Sequence, residues 1–393
     1  MAKTRLALPV SLSLAALLVA PSAGAVGAPE PPPEAVLAEL PFLAGDEPNR
    51  VLVDLAPAGA EPFRLMLDTG ASATVLTPVM AKQLGVSVRR NKQSQYRRST
   101  RLGRDLLFWI DTESSDTGSR TGDEYGLLGG DFLDDYVVEI DFPGRKVRFL
   151  DPKKYRLPEQ VDAEDERLLP VKVVASRIAV PVEVGGKQIE VLFDTGVPDT
   201  LILSGKAARQ VGIDVDALPA FGTGSTTMGP MEQRFHEAPQ FRFAGFDYAP
   251  LPVIVAPKGW YNIAMANDSA VGYDVLRQFV MRIDYAGRRI WLKRTGDPRV
   301  TFLGGDYAAS KKIGAQLIPH RGTLWVSRVA PEGAAAKYGL REGDAIVPAA
   351  GEKPFTQEEV FARIESRGEL TVARQKGDVW VDLVLPEMAS QEP

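Results

Sequence analysis

The stretches LMLDTGASATVL (residues 65–76) and VLFDTGVPDTLI (residues 191–202) carry the information that decides the fold. In each, three apolar residues run directly into the triplet Asp-Thr-Gly, which begins at Asp68 in the first stretch and at Asp194 in the second. This pattern predicts a buried strand that ends in a tight turn, because Asp hydrogen-bonds the turn backbone and Gly accepts a positive φ. One such turn is ordinary, whereas two in matching surroundings predict two carboxyl groups that act together.

A second pair of segments repeats further along the chain. Residues 127–149 read LLGGDFLDDYVVEIDFPGRKVRF, and residues 270–292 read AVGYDVLRQFVMRIDYAGRRIWL. Aligned without gaps, they share identical residues at several positions, among them Gly129 with Gly272, Asp131 with Asp274, Ile140-Asp141 with Ile283-Asp284, and Gly144-Arg145 with Gly287-Arg288. Two units of this size are too few and too large for a solenoid, so the repeat predicts two duplicated lobes.

The local pattern of each unit predicts β structure with one short helix. Alternating and apolar runs are separated by Gly, Pro and Asp turns, which is typical of short strands joined by hairpins. Helices are predicted over Thr77–Leu84 and Ser204–Val211, because each begins at a hydroxyl residue and is followed by glycine, Gly85 or Gly212. The fold class expected is therefore mainly β.

Two carboxyl groups that lie close together cannot both ionise easily, so they share one proton. Such a pair supplies a base and an acid at once: the base takes a proton from a water, and the acid protonates the carbonyl oxygen that this water attacks. Glycine allows a sharp turn and close approach. Threonine offers a hydroxyl that can bond across the interface between the two loops. Such a pair can activate a water for attack on a carbonyl group without a metal or a covalent intermediate.

Composition excludes several other kinds of chemistry. The chain has 393 residues and no cysteine, so neither a thiolate nucleophile nor a disulfide is available. Its two histidines, His236 and His320, lack metal-ligand spacing, and we expect no metal and no cofactor. The net charge of −5 makes a nucleic-acid partner a poor expectation.

The N-terminal residues have the pattern of an export signal. Lys3 and Arg5 precede the apolar run Leu6–Ala20, and Ala23-Gly24-Ala25 is a small-x-small cleavage pattern. We therefore expect a signal peptide over residues 1–25 and a Pro-rich leader over residues 26–47, of which residues 26–36 are expected to be flexible. No transmembrane segment is expected after cleavage, and the location predicted is exported, either periplasmic or secreted.

The paired motifs resemble those of the retropepsin-like and pepsin-like aspartic proteases. In that family each lobe or subunit gives one Asp-Thr-Gly loop, and a later apolar-apolar-Gly segment packs beneath it, as LLG at 127–129 and AVG at 270–272 would here. The resemblance covers roughly residues 48–295 and implies two retropepsin-like β-barrel lobes, over residues 48–160 and 161–303, in a bilobal aspartic-protease fold. It implies that Asp68 and Asp194 are the catalytic pair and that the loops are supported by Thr69, Gly70, Ala71, Thr195 and Gly196. The substrate implied is a peptide or protein.

The two loops differ in the residue after glycine. Ala71 matches the Asp-Thr-Gly-Ala form of retroviral-type enzymes, whereas Val197 departs from the Ala, Ser or Thr usual in the family. A branched apolar side chain cannot hydrogen-bond the aspartate. Two alternatives therefore stay open beside the protease. One is a pair of ordinary turns, and the other is a catalytically impaired periplasmic protein that binds peptides or acts as a scaffold.

Members of that family close a β-hairpin flap over the substrate, and the regions of this chain that match its position can be named in both lobes. The matching region of lobe 1 includes RRNKQSQYRRSTRLGR (residues 89–104), a basic stretch that would be either a solvated loop or a contact for an acidic partner. In lobe 2 the matching region is GTGSTTMG (residues 222–229), which is flexible enough to be a mobile flap.

Residues 304–388 carry a different pattern, which is similar to a PDZ domain. Its most specific part is GLREGDAI (residues 339–346), a tight turn that leads into a strand. The resemblance implies a small α+β PDZ-like domain that could bind a C-terminal peptide by β-augmentation. The loop and strand edge expected to receive the peptide are Gly322, Thr323, Leu324, Trp325 and Val326.

Overall fold

The computed structural model describes residues 27–43, 49–57, 59–86, 96–99, 105–110, 126–226, 229–248, 250–258, 268–295, 300–302, 305–320, 323–348, 353–376 and 379–386. The predicted signal peptide lies outside these residues, as does most of the basic stretch at 89–104. The chain is mainly β, as the sequence predicted. No helix in the described part is long and apolar enough to cross a membrane.

The described residues of the first segment carry nine strands and two short α-helices. The strands are β1 (Val36–Pro41), β2 (Leu52–Leu55), β3 (Phe63–Leu67), β4 (Val75–Leu76), β5 (Tyr96–Ser99), β6 (Asp105–Ile110), β7 (Gly126–Leu128), β8 (Val137–Asp141) and β9 (Lys146–Leu150), and the helices are α1 (Pro78–Gln83) and α2 (Gly130–Leu133). A six-stranded sheet has the order β2-β3-β7-β4-β6-β5. Within it, β3 runs parallel to β7 while β4 pairs antiparallel with β7.

The second segment pairs its strands in the same way. Its strands are β10 (Glu166–Pro170), β11 (Lys172–Val174), β12 (Arg177–Val184), β13 (Lys187–Phe193), β14 (Leu201–Ser204), β15 (Ala220–Thr226), β16 (Gly229–Ala238), β17 (Phe241–Phe243), β18 (Phe246–Tyr248), β19 (Leu251–Ala256), β20 (Ala270–Val271), β21 (Phe279–Asp284) and β22 (Arg289–Arg294). Its helices are α3 (Gly205–Gln210) and α4 (Tyr273–Leu276). Strand β13 runs parallel to β20, and β14 is antiparallel to β20, which matches the arrangement of β3, β7 and β4. The strand pairing therefore follows the sequence repeat.

The predicted helices form where their capping residues indicated. The Thr77 hydroxyl accepts a hydrogen bond from the Met80 amide at 3.3 Å, and α1 begins at the next residue, Pro78. The Ser204 hydroxyl caps α3 in the same way, accepting from the Ala207 amide at 3.1 Å. Each hydroxyl replaces a missing backbone partner at the start of the helix, which is why both helices begin there.

A third sheet joins the two segments. Its order is β1-β9-β8-β21-β22-β10, and the two segments meet where β8 pairs antiparallel with β21. Across this junction, Arg282 Nε donates to Glu139 Oε2 at 2.6 Å, and both side chains are fully buried. Strand β1 lies inside the predicted Pro-rich leader, and all of it except Val36 lies beyond the residues expected to be flexible. It is an edge strand of this sheet, because its backbone pairs with β9.

The C-terminal unit, residues 301–386, carries a separate sheet with its own core. Its first strand lies before residue 304, where the PDZ-like region was expected to begin. Two short strands, β23 (Thr301–Phe302) and β24 (Gly305–Asp306), lead into five more: β25 (Ala315–His320), β26 (Thr323–Val329), β27 (Ala345–Val347), β28 (Leu370–Lys376) and β29 (Val379–Leu385). Three helices accompany them: α5 (Tyr307–Ile313), α6 (Ala334–Tyr338) and α7 (Gln357–Ser366). The sheet order is β25-β26-β27-β28-β29, and the buried cluster beneath it includes Leu317, Val326, Val360 and Val372.

Candidate active site

Each Asp-Thr-Gly turn follows a strand that pairs with a parallel neighbouring strand. Asp68 follows β3, and its amide donates to the Leu128 carbonyl on β7 at 3.1 Å. Asp194 follows β13, and its amide donates to the Val271 carbonyl on β20, also at 3.1 Å. The apolar-apolar-Gly segments of the sequence repeat are thus the strands that hold each aspartate from below.

The two turns are locked together by their threonines. Thr69 Oγ1 donates to the Phe193 carbonyl at 2.6 Å and accepts from the Thr195 amide at 3.1 Å. In return, Thr195 Oγ1 donates to the Leu67 carbonyl at 2.7 Å and accepts from the Thr69 amide at 3.2 Å. Both threonines are fully buried, so these reciprocal bonds form away from competing water. Each hydroxyl fixes the end of the opposite strand.

Glycine allows the carboxyl groups to come this close. A Cβ atom on Gly196 would lie 2.7 Å from the Asp68 carboxyl carbon, and one on Gly70 would overlap the Asp194 carboxyl group. Neither glycine has a positive φ, so the requirement here is space and not backbone conformation. Each turn therefore leaves room for the aspartate of the other.

The two carboxyl groups interact directly. Burial raises the pKa of Asp68 above its ordinary value, and the charge of Asp194 and a hydrogen bond between the two side chains raise it further. The Gly70 and Ala71 amides each donate to Asp68 Oδ1 at 2.9 Å and lower its pKa, although they do not offset the other effects. The Gly196 amide likewise donates to Asp194 Oδ1 at 2.8 Å. A pair in this position holds one proton between two acids.

The two aspartates differ in exposure to solvent. Asp194 is fully buried, whereas Asp68 keeps some exposure. A water or a substrate atom would therefore approach the pair along the exposed side of Asp68.

Comparison with known proteins agrees with this geometry. A family model described as aspartyl protease matches residues 53–102 and 180–275, and these stretches contain both Asp-Thr-Gly turns. The fold is aspartic protease-like. A retropepsin-like aspartic protease from Rickettsia conorii aligns with 33% of this chain and 90% of its own, at 18% identity and a TM-score of 0.27. Basic 7S globulin from soybean aligns with 66% of this chain and 95% of its own, at 11% identity and a TM-score of 0.36.

TM-scores this low provide no further support for the fold beyond the family match and the strand pairing. No curated protein matches the chain. The aspartic protease-like fold therefore rests on the family model and on the architecture around the two turns.

Val197, the residue that departs from the family pattern, is buried within the aspartic protease-like fold. It belongs to a hydrophobic cluster whose other members include Ile202, Met231, Ile254, Phe302 and Tyr307. Its carbonyl accepts a hydrogen bond from the Tyr273 amide at 2.7 Å, which ties this loop to α4. The valine side chain therefore serves apolar packing beside the second turn.

The residues beneath the two turns were missed as functional candidates. In the first segment, the amide and hydroxyl of Thr74 both donate to Asp131 Oδ1 at 2.8 Å, and Gly129 donates to the same hydroxyl at 3.1 Å. The repeat places Thr200 opposite Thr74 and Asp274 opposite Asp131. Alignment of the repeats would have found these four residues, although it could not have shown their contacts.

Asp199, also missed, is a buried acid five residues beyond Asp194. Burial raises its pKa to about 7, with a contribution from the charge of Asp274, while the Arg50 guanidinium opposes the shift. Its Oδ1 atom has no hydrogen-bond partner among the described residues. The equivalent residue of the first segment is Ala73, so this acid belongs to the second loop alone.

The residues predicted to bind a peptide in the C-terminal sheet lie on β26, except Gly322, which is outside the described residues. Strand β26 pairs with β25 on one side and with β27 on the other. Its backbone hydrogen bonds are therefore used within the sheet around Thr323–Val326, and the neighbouring β25 stands at the end of the strand order. An added strand would meet an end strand, β25 or β29, and not β26, because β-augmentation needs an unpaired edge.

More of the second predicted flap region than of the first lies within the described residues. Strands β15 and β16 form an antiparallel hairpin, in which Thr226 pairs with Gly229. Residues 227–228 lie outside the described residues. In the basic stretch of the first segment, only β5 is described, and it pairs with β6.

Proposed function

We propose that this chain is an aspartic endopeptidase in which Asp68 and Asp194 activate a water held between their carboxyl groups. One carboxylate takes a proton from the water, and the protonated partner gives its proton to the carbonyl oxygen of the scissile peptide bond. In the collapse of the tetrahedral intermediate, the protonated carboxyl gives its proton to the leaving nitrogen while the ionised partner takes a proton from a hydroxyl of the intermediate. The C–N bond breaks, the carbonyl of the acid product forms, and the pair again holds one shared proton. Since the proton belongs to the pair, neither aspartate has a fixed role.

One observation carries this proposal: two Asp-Thr-Gly turns interlock through Thr69 and Thr195 so that their carboxyl groups hydrogen-bond each other. A purely structural turn has no need for a second acid opposite it, and burying two acids face to face costs stability. Arrangements that shift the pKa of paired acids are typical of catalytic sites.

The remaining parts of the fold have roles in the same proposal. The repeated segments would be two lobes with the cleft between them, and the β15–β16 hairpin would close over a bound peptide as a flap. The C-terminal unit would be PDZ-like, with the edge of β25 receiving a peptide or a partner. Residues 1–25 would direct export, which N-terminal sequencing of the mature protein from cell fractions would test.

The test of catalysis compares cleavage of a peptide library by the wild type, Asp68→Asn and Asp194→Asn from acidic to neutral pH. Asn keeps the shape of the side chain but cannot share the proton, so each variant should lose roughly 1000-fold or more in kcat/KM. The matched control is Asp54→Asn, an exposed carboxyl on β2 that lies near Arg64 and should leave the rate unchanged. Full activity in either active-site variant would exclude the dyad.

A second candidate is a peptide-binding or scaffold protein without catalysis. The valine at position 197 favours it, because a buried apolar side chain occupies the position where the family places a small or hydroxyl residue. Library peptides that bind the wild type and Asp68→Asn equally well, while neither protein cleaves them, would support this candidate over the protease.

A further inference from the structure

The second catalytic loop is supported differently from the first. In the first segment the support is local, since Thr74 and Asp131 hydrogen-bond each other within the same sheet. In the second segment, the equivalent Thr200 hydroxyl turns away and donates to the Pro252 carbonyl. The threonine that would match Thr74 is thus engaged elsewhere.

A threonine from the C-terminal part of the chain donates to Asp274 instead. Thr301 Oγ1 donates to Asp274 Oδ1 at 2.6 Å, and the same hydroxyl accepts from Arg277 Nε at 3.0 Å. Thr301 lies on β23, beyond the sequence repeat, and is 27 residues from Asp274. It makes the hydroxyl-to-carboxylate bond that Thr74 makes in the first segment.

The Asp274 segment in turn holds the second catalytic loop. The Asp274 amide donates to the Asp199 carbonyl at 3.3 Å, and the preceding Tyr273 amide donates to the Val197 carbonyl at 2.7 Å. These bonds hold the backbone just beyond Asp194 at two points. A displacement of Asp274 would therefore also displace the backbone of the second catalytic loop.

The residue after Thr301 reaches the same loop by packing. Phe302 is almost fully buried in the cluster that contains Val197. Its ring centroid lies 6.0 Å from those of Phe235 on β16 and Tyr307 on α5. Val197 and Phe302 of β23 therefore belong to the same hydrophobic cluster.

The C-terminal unit is fixed to the protease-like part at this point. Tyr307 Oη donates to Glu237 Oε2 at 2.6 Å, and Lys311 Nζ donates to both oxygens of the same carboxylate at 2.9 and 2.8 Å. Glu237 lies on β16, a strand of the proposed flap hairpin. From the other side, Gln316 Nε2 donates to the Phe302 carbonyl at 3.0 Å.

We propose that Thr301 and Phe302 are positioning residues for the second catalytic loop, so that the C-terminal unit is a required part of the active site and not an independent appendage. This proposal rests on the proposed function of the Asp68–Asp194 pair. Thr301 acts through Asp274, and Phe302 acts through the cluster around Val197.

The first experiment compares Thr301→Val, which removes the hydroxyl with little change of shape, with Thr301→Ser, which keeps it. Since a hydrogen bond to a buried carboxylate is lost, kcat should fall about tenfold in Thr301→Val with little change in KM. Thr301→Ser should stay within about twofold of the wild type. The matched control is Thr295→Val, which loses a 3.0 Å bond to the Gln278 carbonyl outside the site and should keep the wild-type rate.

The second measurement does not depend on catalysis. Hydrogen exchange of the Tyr273 and Asp274 amides, which donate to the Val197 and Asp199 carbonyls, should be about tenfold faster in Thr301→Val than in the wild type, and unchanged in Thr295→Val. If the wild type cleaves no peptide, the proposed function fails, but the exchange rates still decide whether Thr301 positions the loop. Equal exchange in Thr301→Val and the wild type, or a Thr301→Ser variant as impaired as Thr301→Val, would overturn the inference.

A pair of surface variants avoids the risk of misfolding. Lys311→Ala removes a bond to Glu237, whereas Lys312→Ala, on the same helix, removes only the pair with Glu365 inside the C-terminal unit. Exchange at residues 231–238 of β16 should be about two- to fourfold faster in Lys311→Ala alone. Equal exchange in both variants would contradict the role of this contact.

Discussion

The loop that follows Asp68 and the loop that follows Asp194 face each other as near copies, yet they rest on different supports. Where they meet, Thr69 and Thr195 make the same pair of bonds in opposite directions. Beneath this contact, the first loop is held by its own Thr74, and the second by Thr301 from beyond the repeat.

The difference shows which parts of a duplicated fold are constrained by the shared site. The interlock requires both partners to match, because each hydroxyl bonds the other strand and a change in one breaks bonds in both. The underside of each loop has no such partner, so it is free to diverge. In this chain the two undersides differ where the C-terminal unit contacts the second loop. There the loop itself has Val197 and Asp199, and Thr301 supports it from outside the repeat.

The largest effect is expected from filling the space between the turns. Alanine at position 70 would place a Cβ within the Asp194 carboxyl group, while alanine at 196 would place one 2.7 Å from the Asp68 carboxyl carbon. Because a shift of about 1 Å in a catalytic group costs on the order of 100-fold in rate, we expect each variant to lose at least that in kcat/KM, with Gly70→Ala the more severe.

Steady-state kinetics on one peptide substrate, with unfolding midpoints measured in parallel, would check this expectation. Gly59→Ala is a suitable control, since no atom of the described residues other than Gly59 and its chain neighbours lies within 4 Å of the added Cβ, although its positive φ makes a small loss of stability expected. A Gly70→Ala enzyme with wild-type kcat/KM would mean that the carboxyl groups do not meet as described.

The second prediction concerns Asp199, an acid that only the second loop carries, and the pH dependence of stability that it should cause. The folded-state pKa of Asp199, about 7, lies above the ordinary value of 3.8, so the folded chain binds an extra proton between these values. The contribution of Asp199 to stability is therefore most favourable below about pH 4 and is lost as the pH rises to about 7. Asp199→Asn should be more stable than the wild type at pH 8, by up to about 4 kcal/mol, and nearly equal to it at pH 4.

Denaturant unfolding at both pH values would measure the difference. The groups that face Asp199 are Asp274, which raises its pKa, and Arg50, which opposes the shift. Asp54→Asn, at an exposed carboxyl, serves as the control and should leave the pH dependence of stability unchanged. If Asp199→Asn and the wild type differ by the same amount at pH 4 and pH 8, the acid is not held neutral in the fold.

Much of this site could be predicted from local sequence. The turns at Asp68 and Asp194 follow apolar strands, and the caps at Thr77 and Ser204 mark the helix starts, because these signals depend on neighbours in the chain. The ordered β1 in the Pro-rich leader and the support from Thr301 depend on partners that are distant in sequence. No local pattern indicates such contacts, so the sequence offered no signal for them.

The smallest effect is expected from the two equivalent threonines beneath the loops, Thr74 and Thr200. In Thr74→Val, the Asp131 carboxylate loses the bond from the threonine hydroxyl, and the Gly129 amide loses its acceptor. A hydrogen bond to a charged group contributes about 1.5–3 kcal/mol, so we expect a loss of that size in the free energy of unfolding. Thr200→Val loses a bond to a neutral carbonyl and should cost only about 1 kcal/mol. Equal losses in urea unfolding would show that the two loops are supported alike, whereas the expected ranking would confirm that Thr200 no longer holds the carboxylate beneath its loop.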